Sequence, residues 1–426
     1  MEEEELENSN QDNDDLDEFF NEFMNTKPIF SNKGVLQSNF CPSMISHRDE
    51  HLKDIAKILA PALRRERPSN IFIYGKTGTG KSLCVSHIVK KIKNIASAKE
   101  IPLEIIFINC KLKKVADTEY RILLEFLKQL GKDMPSTGIA TNDLYKELYE
   151  LIDTKKRFII LVLDEIDTLI KKAGDEVLYN LTRMNPELKL AEISIVGITN
   201  DLTIMDTVDA RVKSSLNEEE IVFLPYNATQ IQDILMQRAK LAFRDDVLDP
   251  EVIPRCAAYA AREHGDARRA LELLRFAGEL AERSGSEKVL PIHIDNADKK
   301  TERNRILDVI KSQPKQFQLV NYAIIRTSMK EKHNLVTNKK TLVIEPTTTG
   351  AVYDYYNKVA KNLSIPTLSL RRISDIIVEL EVLGLIDFKL VSKGRYGRTR
   401  FITIGLPKSM HSEVLEILRK DLNIVD

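Results

Sequence analysis

Residues 75 to 82 read Gly75-Lys76-Thr77-Gly78-Thr79-Gly80-Lys81-Ser82, and these residue types at this spacing are suited to binding a chain of phosphates. Glycines let successive backbone N–H groups converge on phosphate oxygens, and a helix that follows such a loop presents its positive N-terminus to them. The Lys81 ammonium can reach the β- and γ-phosphates, and the Ser82 hydroxyl can hold Mg²⁺. The sequence therefore predicts that a nucleoside triphosphate binds here with Mg²⁺.

Two carboxylates follow a later apolar run. Residues 158–163 are apolar, and Asp164 and Glu165 come directly after them. Open α/β sheets bind ligands beyond the carboxyl ends of their strands. Asp164 is therefore predicted to position Mg²⁺, and Glu165 to orient and deprotonate an attacking water. An apolar strand that ends in two acids also occurs in structural settings, so it is the phosphate loop that favours the catalytic interpretation.

A polar residue also ends the next apolar run. Residues 193–199 lead to Asn200, whose amide could hydrogen-bond the γ-phosphate or the lytic water. An Asn after a strand is ordinarily a turn residue. Because this one follows the strand next in order after the Asp164-Glu165 pair, we predict it as a third polar group of the same site.

These groups need a sheet whose strands end at one edge. Apolar runs alternate with helical patterns as far as residue 225, at residues 71–74, 103–109, 158–163, 193–199 and 221–224. Runs of this kind are typical of strands buried on both faces, so the sequence predicts a parallel α/β sheet. From residue 228 to about 284 the apolar spacing becomes three to four residues, which predicts a small helical domain. A charged stretch at 287–300 is expected to break the helical pattern and to lead into a third unit.

The third unit is basic. Between residues 303 and 408, Lys and Arg outnumber Asp and Glu by more than two to one, which indicates a polyanionic partner. Apolar positions between 370 and 383 mark one face of a helix, and Arg371 and Arg372 lie off that face. This pattern is typical of a recognition helix.

A hairpin pattern follows that helix, with strands at 386–391 and 399–404. Its tip carries glycines that allow close backbone approach and cations that can contact phosphates or a narrow minor groove. Helix and hairpin together indicate a winged helix that binds DNA, although a charge-protected edge hairpin is the alternative. The candidate DNA-binding residues are Arg371, Arg372, Lys393, Arg395, Tyr396, Arg398 and Arg400.

Composition limits the class of protein. The 426 residues carry a net charge of −1, yet residues 1–26 contain eleven acids and no Lys or Arg, so the rest of the chain is basic. We expect that acidic tail to be disordered; it could serve as a solvating segment, an intramolecular decoy or a partner-binding motif. No signal, transit or membrane-spanning pattern is present, and the four cysteines lack metal-site spacing. A soluble protein of a reducing, intracellular compartment is expected.

Longer segments resemble a known family. The order of the elements, together with the run from Gly265 to Leu271, is similar to AAA+ ATPases with a helical lid. The segments 163–167, 178–183, 211–216 and 262–269 resemble archaeal replication initiators of the origin-recognition and cell-division-control type, over nearly everything from residue 45 to 404. The resemblance implies an AAA+ nucleotide-binding domain at 28–225, a helical lid at 226–298 and a winged-helix domain at 299–426. The acidic tail at 1–27 and the C-terminal helix of the last domain fall outside the resemblance.

The resemblance also assigns residues at the nucleotide, which in this family is ATP or ADP. Arg268 matches the lid arginine that senses the γ-phosphate. Tyr226 and Arg238 match positions that contact the nucleotide where the lid meets the sheet. His47 lies in the segment that packs near the adenine. Arg211 is the candidate arginine finger, which supplies its charge to a nucleotide on a neighbouring protomer.

The implied function is an ATP-dependent replication initiator in which hydrolysis acts as a switch. Its expected partners are double-stranded origin DNA, a replicative helicase of the minichromosome-maintenance type and other initiator protomers, in the cytoplasm at the nucleoid. A branch-migration motor and a nucleotide-gated transcription regulator are the alternatives, since both can join a nucleotide site to a winged helix.

Overall fold

The computed structural model describes Met24 and residues 27–111, 118–216, 218–262, 265–333, 340–392 and 398–424. For residues 215, 218, 330–333, 340–344, 392 and 398 it describes the backbone only. Nearly all of the predicted acidic tail lies outside these ranges. The chain divides into two compact units, Met1–Asp295 and Asn296–Asp426.

A parallel sheet organises the first unit. Its strands are β1 (Asn70–Gly75), β2 (Leu103–Asn109), β3 (Arg157–Asp164), β4 (Ala191–Thr199) and β5 (Glu218–Phe223). Within the described residues they lie in the order β2-β3-β4-β1-β5, and every neighbouring pair is parallel. Tyr74 pairs with Thr199 and Asn109 with Asp164, so the carboxyl ends of four strands meet at one edge. The predicted parallel α/β sheet is confirmed.

Helices cover both faces of this sheet. They are α1 (Asp49–Leu59), α2 (Lys81–Ala98), α3 (Glu119–Gln129), α4 (Thr141–Ile152), α5 (Ile166–Ala173), α6 (Glu176–Glu187), α7 (Ile204–Thr207) and α8 (Ala210–Leu216). Successive strand residues point to opposite faces. Phe72 and Leu161 thus belong to the core beneath α3 to α6, whereas Ile71 and Ile160 pack with α1 and α2. Burial on both faces explains why the apolar runs are nearly continuous.

The helical pattern after residue 225 forms the predicted lid. Its helices are α9 (Ala228–Ala242), α10 (Val252–Arg262) and α11 (Ala267–Arg283). Asn227 begins α9 through a capping box with Gln230, and the Asp266 carboxylate caps α11 by accepting from the N–H groups of Arg268 and Arg269. These caps explain why α9 and α11 start where they do.

The residues that precede the sheet pack against the lid. The Ile29 N–H donates to Glu282 Oε1 across 2.9 Å, and the Ser31 N–H donates to Ala242 O across 2.8 Å. The Lys33 ammonium lies 2.6 Å from Glu279 Oε1. Short 3-10 helices at Lys33–Leu36 and Ala60–Arg64 flank α1. Residues 29–33 therefore lie on the lid before the chain enters the sheet.

One prediction about the connection is wrong. The charged stretch at 287–300 is predicted to break the helical pattern, yet most of it lies in α12 (Pro291–Ser312), and the boundary between the two units falls within that helix. Pro291 is the first residue of α12, where a missing N–H costs no hydrogen bond and the fixed φ suits a helix. The proline in this stretch therefore begins a helix and does not interrupt one.

The second unit is a winged helix. It contains α13 (Lys315–Ser328), β6 (Met329–His333), β7 (Lys340–Ile344), β8 (Thr347–Thr348), α14 (Thr349–Asn362), α15 (Leu370–Val382), β9 (Ile386–Ser392), β10 (Arg398–Ile404), a 3-10 turn (Lys408–Met410) and α16 (His411–Leu422). The antiparallel strands lie in the order β8-β10-β9, and β6 pairs with β7. The predicted helix and hairpin are present, whereas β6, β7 and β8 were not predicted.

The apolar face predicted for α15 is buried along its middle, whereas Leu370 and Leu383 at its ends are exposed. The central residues of the face are at most 1% exposed and join a core with α13, α14 and α16: Ile373, Ile376, Ile377 and Leu380. Ser369 caps the helix by accepting from the Arg372 N–H.

Across the described parts of the chain, no helix is long and apolar enough to span a bilayer.

Candidate nucleotide-binding and DNA-binding sites

The phosphate loop runs from the end of β1 to the start of α2, and two of its glycines are required by geometry. Gly78 and Gly80 have φ of 74° and 90°, which L side chains rarely adopt. A Cβ at Gly78 would collide with the Asp266 carboxylate, and one at Gly80 would lie 2.9 Å from the Tyr226 hydroxyl. The loop is therefore packed closely under the start of the lid.

Lys81 is buried at the first position of α2. Its ammonium donates to Gly75 O at 2.7 Å, to Lys76 O at 2.8 Å and to Asn200 Oδ1 at 2.9 Å. Burial lowers the pKa of Lys81 to about 8, and nearby Asp164 opposes that shift. The predicted lysine and asparagine thus meet, although they are far apart in sequence.

Ser82 and Asp164 supply oxygen ligands suited to Mg²⁺. The Ser82 hydroxyl donates to Asp164 Oδ1 across 2.9 Å, and the Asn109 amide lies 3.5 Å from Asp164 Oδ2. Octahedral Mg²⁺ holds its ligands at about 2.1 Å, so two adjacent ligands lie about 3.0 Å apart. Burial raises the pKa of Asp164 although the Ser82 hydrogen bond opposes this. The two oxygens fit neighbouring positions on one ion.

Glu165 follows in a strained conformation. Its φ of 56° is left-handed, which is uncommon for a residue with a side chain. Its N–H donates to Asp164 Oδ1 across 3.1 Å, and its carboxylate lies 3.2 Å from the Lys111 ammonium. The backbone turn at Glu165 separates the two carboxylates, so that of Asp164 can face Mg²⁺ while that of Glu165 faces the attacking water.

Asp167 supports Asn200. Asp167 Oδ1 accepts from the Asn200 N–H at 3.2 Å and from the Thr199 hydroxyl at 3.3 Å. The sequence predicted no role for Asp167 at the site. Its position two residues after Glu165 was visible in the sequence, but the pairing of β3 beside β4 that brings it to Asn200 was not.

A cavity of about 920 Å³ opens beside the loop. Its lining includes Gly78, Gly80 and Ser82 from the loop, Asp164, the lid residues Tyr226, Arg238 and Arg268, and residues 37–46. A smaller adjoining cavity is lined by Thr77, Lys81, Glu165 and Asn200 together with Arg268. Gly75, Lys76 and Thr79 complete the loop without lining either cavity. A volume of this size accommodates a mononucleotide.

Two residues predicted to contact the nucleotide have protein partners in the structure. The Arg238 guanidinium lines the cavity but donates to Val35 O at 3.2 Å and Phe40 O at 3.3 Å, and it stacks 4.5 Å from the Phe40 ring centre. The His47 imidazole does not line the cavity and lies 3.0 Å from Asp233 Oδ2 on α9. Arg238 thus shapes the wall formed by residues 37–46, and His47 joins that segment to the lid.

Arg211 lies elsewhere on the first unit. It is in α8, its side chain is 81% exposed, and its guanidinium lies 3.1 Å from Asp209 Oδ1. It lines neither of the two cavities. Its exposure leaves it accessible to a neighbouring molecule.

The candidate DNA-binding residues lie on the second unit. Arg371 and Arg372 are exposed at the start of α15, and the Arg372 guanidinium lies 3.4 Å from Glu379 Oε1. Arg400 on β10 stacks 5.0 Å from the Phe388 ring centre. Lys393, Arg395 and Tyr396 lie outside the described residues, as does the Arg398 side chain.

Three family models match the chain. An AAA domain covers residues 64–203, the Cdc6 AAA+ ATPase-type lid domain covers residues 232–299, and the CDC6 C-terminal winged helix domain covers residues 308–414. These models follow one another along the chain in the order in which the structure places the sheet, the lid and the winged helix.

Whole-chain relatives extend this similarity. The chain is 47% identical over 414 residues to the ORC1-type DNA replication protein of Thermococcus kodakarensis, covering 96% of this chain and 95% of that protein. It is 46% identical over 413 residues to the protein of the same name from Pyrococcus furiosus, covering 96% and 94%. The structure of the Aeropyrum pernix ORC1 protein in complex with DNA is similar, with a TM-score of 0.77, 39% identity and coverage of 91% and 97%.

Proposed function

Because this chain belongs to the family of ORC1-type DNA replication proteins, with an AAA+ ATPase domain, a Cdc6-type lid and a winged helix, we propose that it is an ATP-dependent initiator of DNA replication. It binds origin DNA and helps to recruit or load the replicative helicase. ATP hydrolysis switches it between two states and does not drive continuous motion.

The observation that carries the proposal is the convergence of charged and polar groups at one edge of the sheet. Lys81 and Asn200 share a hydrogen bond of 2.9 Å, Ser82 and Asp164 share another of 2.9 Å, and Arg268 from the lid lines the same cavities. Phosphoryl transfer needs positioned charges and little covalent chemistry from the protein. A site of this composition suits the γ-phosphate of ATP.

Each side chain has a distinct part in hydrolysis. Glu165 accepts a proton from the attacking water and Asn200 orients that water or the γ-phosphate. Lys81 and Arg268 offset the negative charge that develops on the phosphate oxygens. Ser82 and Asp164 would hold Mg²⁺, which neutralises phosphate charge when bound. Tyr226 and Arg238 shape the nucleotide cavity at the lid.

A second protomer completes the proposal for hydrolysis. Arg211 is exposed and does not line the two cavities at the phosphate loop, so we assign its guanidinium to a nucleotide on a neighbouring protomer. An arginine supplied in this way raises turnover in other nucleotide hydrolases by about 10³ to 10⁵. Slow turnover by a lone protomer and faster turnover in an assembly on DNA are the expected behaviour.

The winged helix is proposed to bind the double-stranded origin. The exposed Arg371 and Arg372 at the start of α15 can enter the major groove, and the cations of the hairpin tip can contact phosphates or the minor groove. The remaining parts of the proposal are a minichromosome-maintenance-type helicase as partner, other initiator protomers, and action in the cytoplasm at the nucleoid.

Footprinting of the purified protein on genomic DNA from its own source tests the proposal, with ATP and with ADP at matched salt. Protection of one or a few discrete loci with inverted repeats, where replication begins, is expected. Broad protection or preference for branched DNA would instead indicate a branch-migration motor. Protection upstream of many unrelated genes would indicate a transcription regulator.

A further inference from the structure

Arg48 is a buried cation that the nucleotide chemistry does not use. It lies directly before α1 and is 4% exposed. It lines neither of the cavities at the phosphate loop. A buried guanidinium requires hydrogen-bond acceptors or aromatic faces to balance its desolvation. The acceptors and aromatic rings around the Arg48 guanidinium therefore indicate the role of this residue.

Two of those partners are backbone carbonyls from distant segments. Arg48 Nε donates to Thr79 O in the phosphate loop across 3.0 Å. Arg48 Nη2 donates to Leu224 O across 2.6 Å, in the segment that leads from β5 into the lid. The planar fork of one arginine thus joins the phosphate loop to the entrance of the lid.

Aromatic rings fix the same guanidinium from the side. The guanidinium carbon lies 3.9 Å from the centre of the Tyr226 ring and 5.2 Å from that of Phe223. Tyr226 is 5% exposed. Cations over desolvated aromatic faces are held more firmly than exposed ones. Arg48 and Tyr226 therefore hold one another in place.

The lid is packed onto this pair. The Ala267 N–H at the start of α11 donates to Gly78 O across 3.3 Å. The Tyr226 hydroxyl packs against Gly80, so closely that a Cβ on Gly80 would lie 2.9 Å from it. Gly265, two residues before α11, packs against the Tyr226 backbone, where a Cβ would lie 2.2 Å from Tyr226 O. Contacts therefore run from the loop through Arg48 and Tyr226 to the start of α11, without passing through a ligand.

From these contacts we infer that Arg48 is a positioning residue that fastens the entrance of the lid to the phosphate loop, so that the loop and the lid change position together. The inference rests on the nucleotide binding of the proposed function. Arg48 holds the shape of the site and does not touch the phosphates. Lysine at this position would keep the charge but lose the fork and the planar stacking face.

The test is a double-mutant cycle on ADP affinity with Arg48→Lys and Tyr226→Leu, measured by calorimetry, together with hydrogen exchange of the ligand-free variants. We expect Arg48→Lys to weaken ADP binding by about tenfold or more. We expect the double variant to bind little more weakly than the weaker-binding single variant. Peptides that span residues 76–80 and 222–227 should exchange faster in Arg48→Lys. The exposed Arg64 provides the control, because Arg64→Lys should change neither measurement.

Additive losses in the cycle, or wild-type exchange of both peptides in Arg48→Lys, would overturn the inference. If Arg48→Lys does not fold, Tyr226→Phe and Tyr226→Leu replace it, because only the first keeps a ring beneath the guanidinium. Equal exchange of residues 76–80 in those two variants would also overturn it. Binding of ADP by the wild-type protein tests the proposed function separately. Hydrogen exchange of the ligand-free variants tests the inference without any nucleotide.

Discussion

The Lys81 ammonium donates a 2.9 Å hydrogen bond to Asn200 Oδ1 and so ties the phosphate loop to the end of β4. The other two bonds of the ammonium go to the carbonyls of Gly75 and Lys76. An incoming phosphate must therefore replace one of these acceptors. Asn200 is the acceptor that lies outside the loop. A phosphate that replaces Asn200 as acceptor therefore breaks the hydrogen bond between Lys81 and the end of β4.

ATP affinity should fall as pH rises above about 8. Burial lowers the pKa of Lys81 to about 8, and a bound phosphate favours the protonated form. Above the pKa of the free protein, binding must first restore the proton, so affinity should fall by up to about tenfold per pH unit. Titrations between about pH 7.5 and 9.5 measure this slope. Lys81→Arg stays charged over the range, and an equal slope in that variant would refute the assignment.

Asp164→Asn should remove the dependence of ATP affinity on Mg²⁺. The Asp164 carboxylate lies 2.9 Å from the Ser82 hydroxyl, and the substitution removes the negative charge while keeping the size. Calorimetry with Mg²⁺ and with a chelator should show stronger binding with the metal in the wild type and little difference in the variant. A Mg²⁺ effect of wild-type size in Asp164→Asn would contradict the assignment.

Glu165→Gln should preserve ATP binding and reduce turnover by about 10² to 10⁴, the usual contribution of a general base. The Glu165 backbone conformation is set by its place after β3, so the amide should occupy the same position. Single-turnover hydrolysis and ATP affinity are measured on the same preparation. Glu150→Gln, an exposed change on α4, is the control. Turnover within about twofold of the wild type would exclude Glu165 as the base.

Gly78→Ala should weaken nucleotide binding, whereas Gly174→Ala should not. Both glycines have a φ that L side chains rarely adopt, 74° and 82°, so both variants should lose unfolding free energy. Gly174→Ala should lose more, because its ψ of 176° lies in a region that essentially only glycine occupies. Only the Cβ at position 78 would also meet the Asp266 carboxylate, while the Cβ at 174 meets nothing within 4 Å. Thermal unfolding and ADP titration separate the two effects. Equal nucleotide affinity in the two variants would show that the lid does not press on the loop.

Arg371→Ala should weaken DNA binding more than Arg372→Ala. Both arginines are exposed at the start of α15, but the Arg372 guanidinium lies 3.4 Å from Glu379 Oε1, which offsets part of its charge. Each phosphate contact that is lost should reduce the salt slope of binding by about 1. Affinity over a salt series measures this, with ADP affinity as the control. An unchanged slope in Arg371→Ala would remove this residue from the interface.

The sequence was most informative where function depends on adjacent residues. The phosphate loop and the Asp164-Glu165 pair are short strings, and the apolar runs before them predicted the parallel sheet that brings them together. The winged helix followed from one amphipathic helix and a basic hairpin. The order of the strands could not be predicted from the sequence, because no local sequence pattern indicates that β3 lies beside β4.

The missed features depend on contacts between distant segments. Asp167 reaches Asn200 only because β3 and β4 are neighbours, and Arg48 reaches Thr79 and Leu224 only after the loop and the end of β5 are in place. The break predicted at 287–300 is wrong for a different reason, because proline is compatible with the first residue of a helix as well as with its end.

The anchoring of Ile29, Ser31 and Lys33 on the lid has a practical consequence for measuring motion in this protein. A fluorescent dye placed at the exposed Lys27 is tethered to the lid, although its sequence position precedes the sheet. Paired with a second dye on α4, it would register the distance between lid and sheet as nucleotide is added.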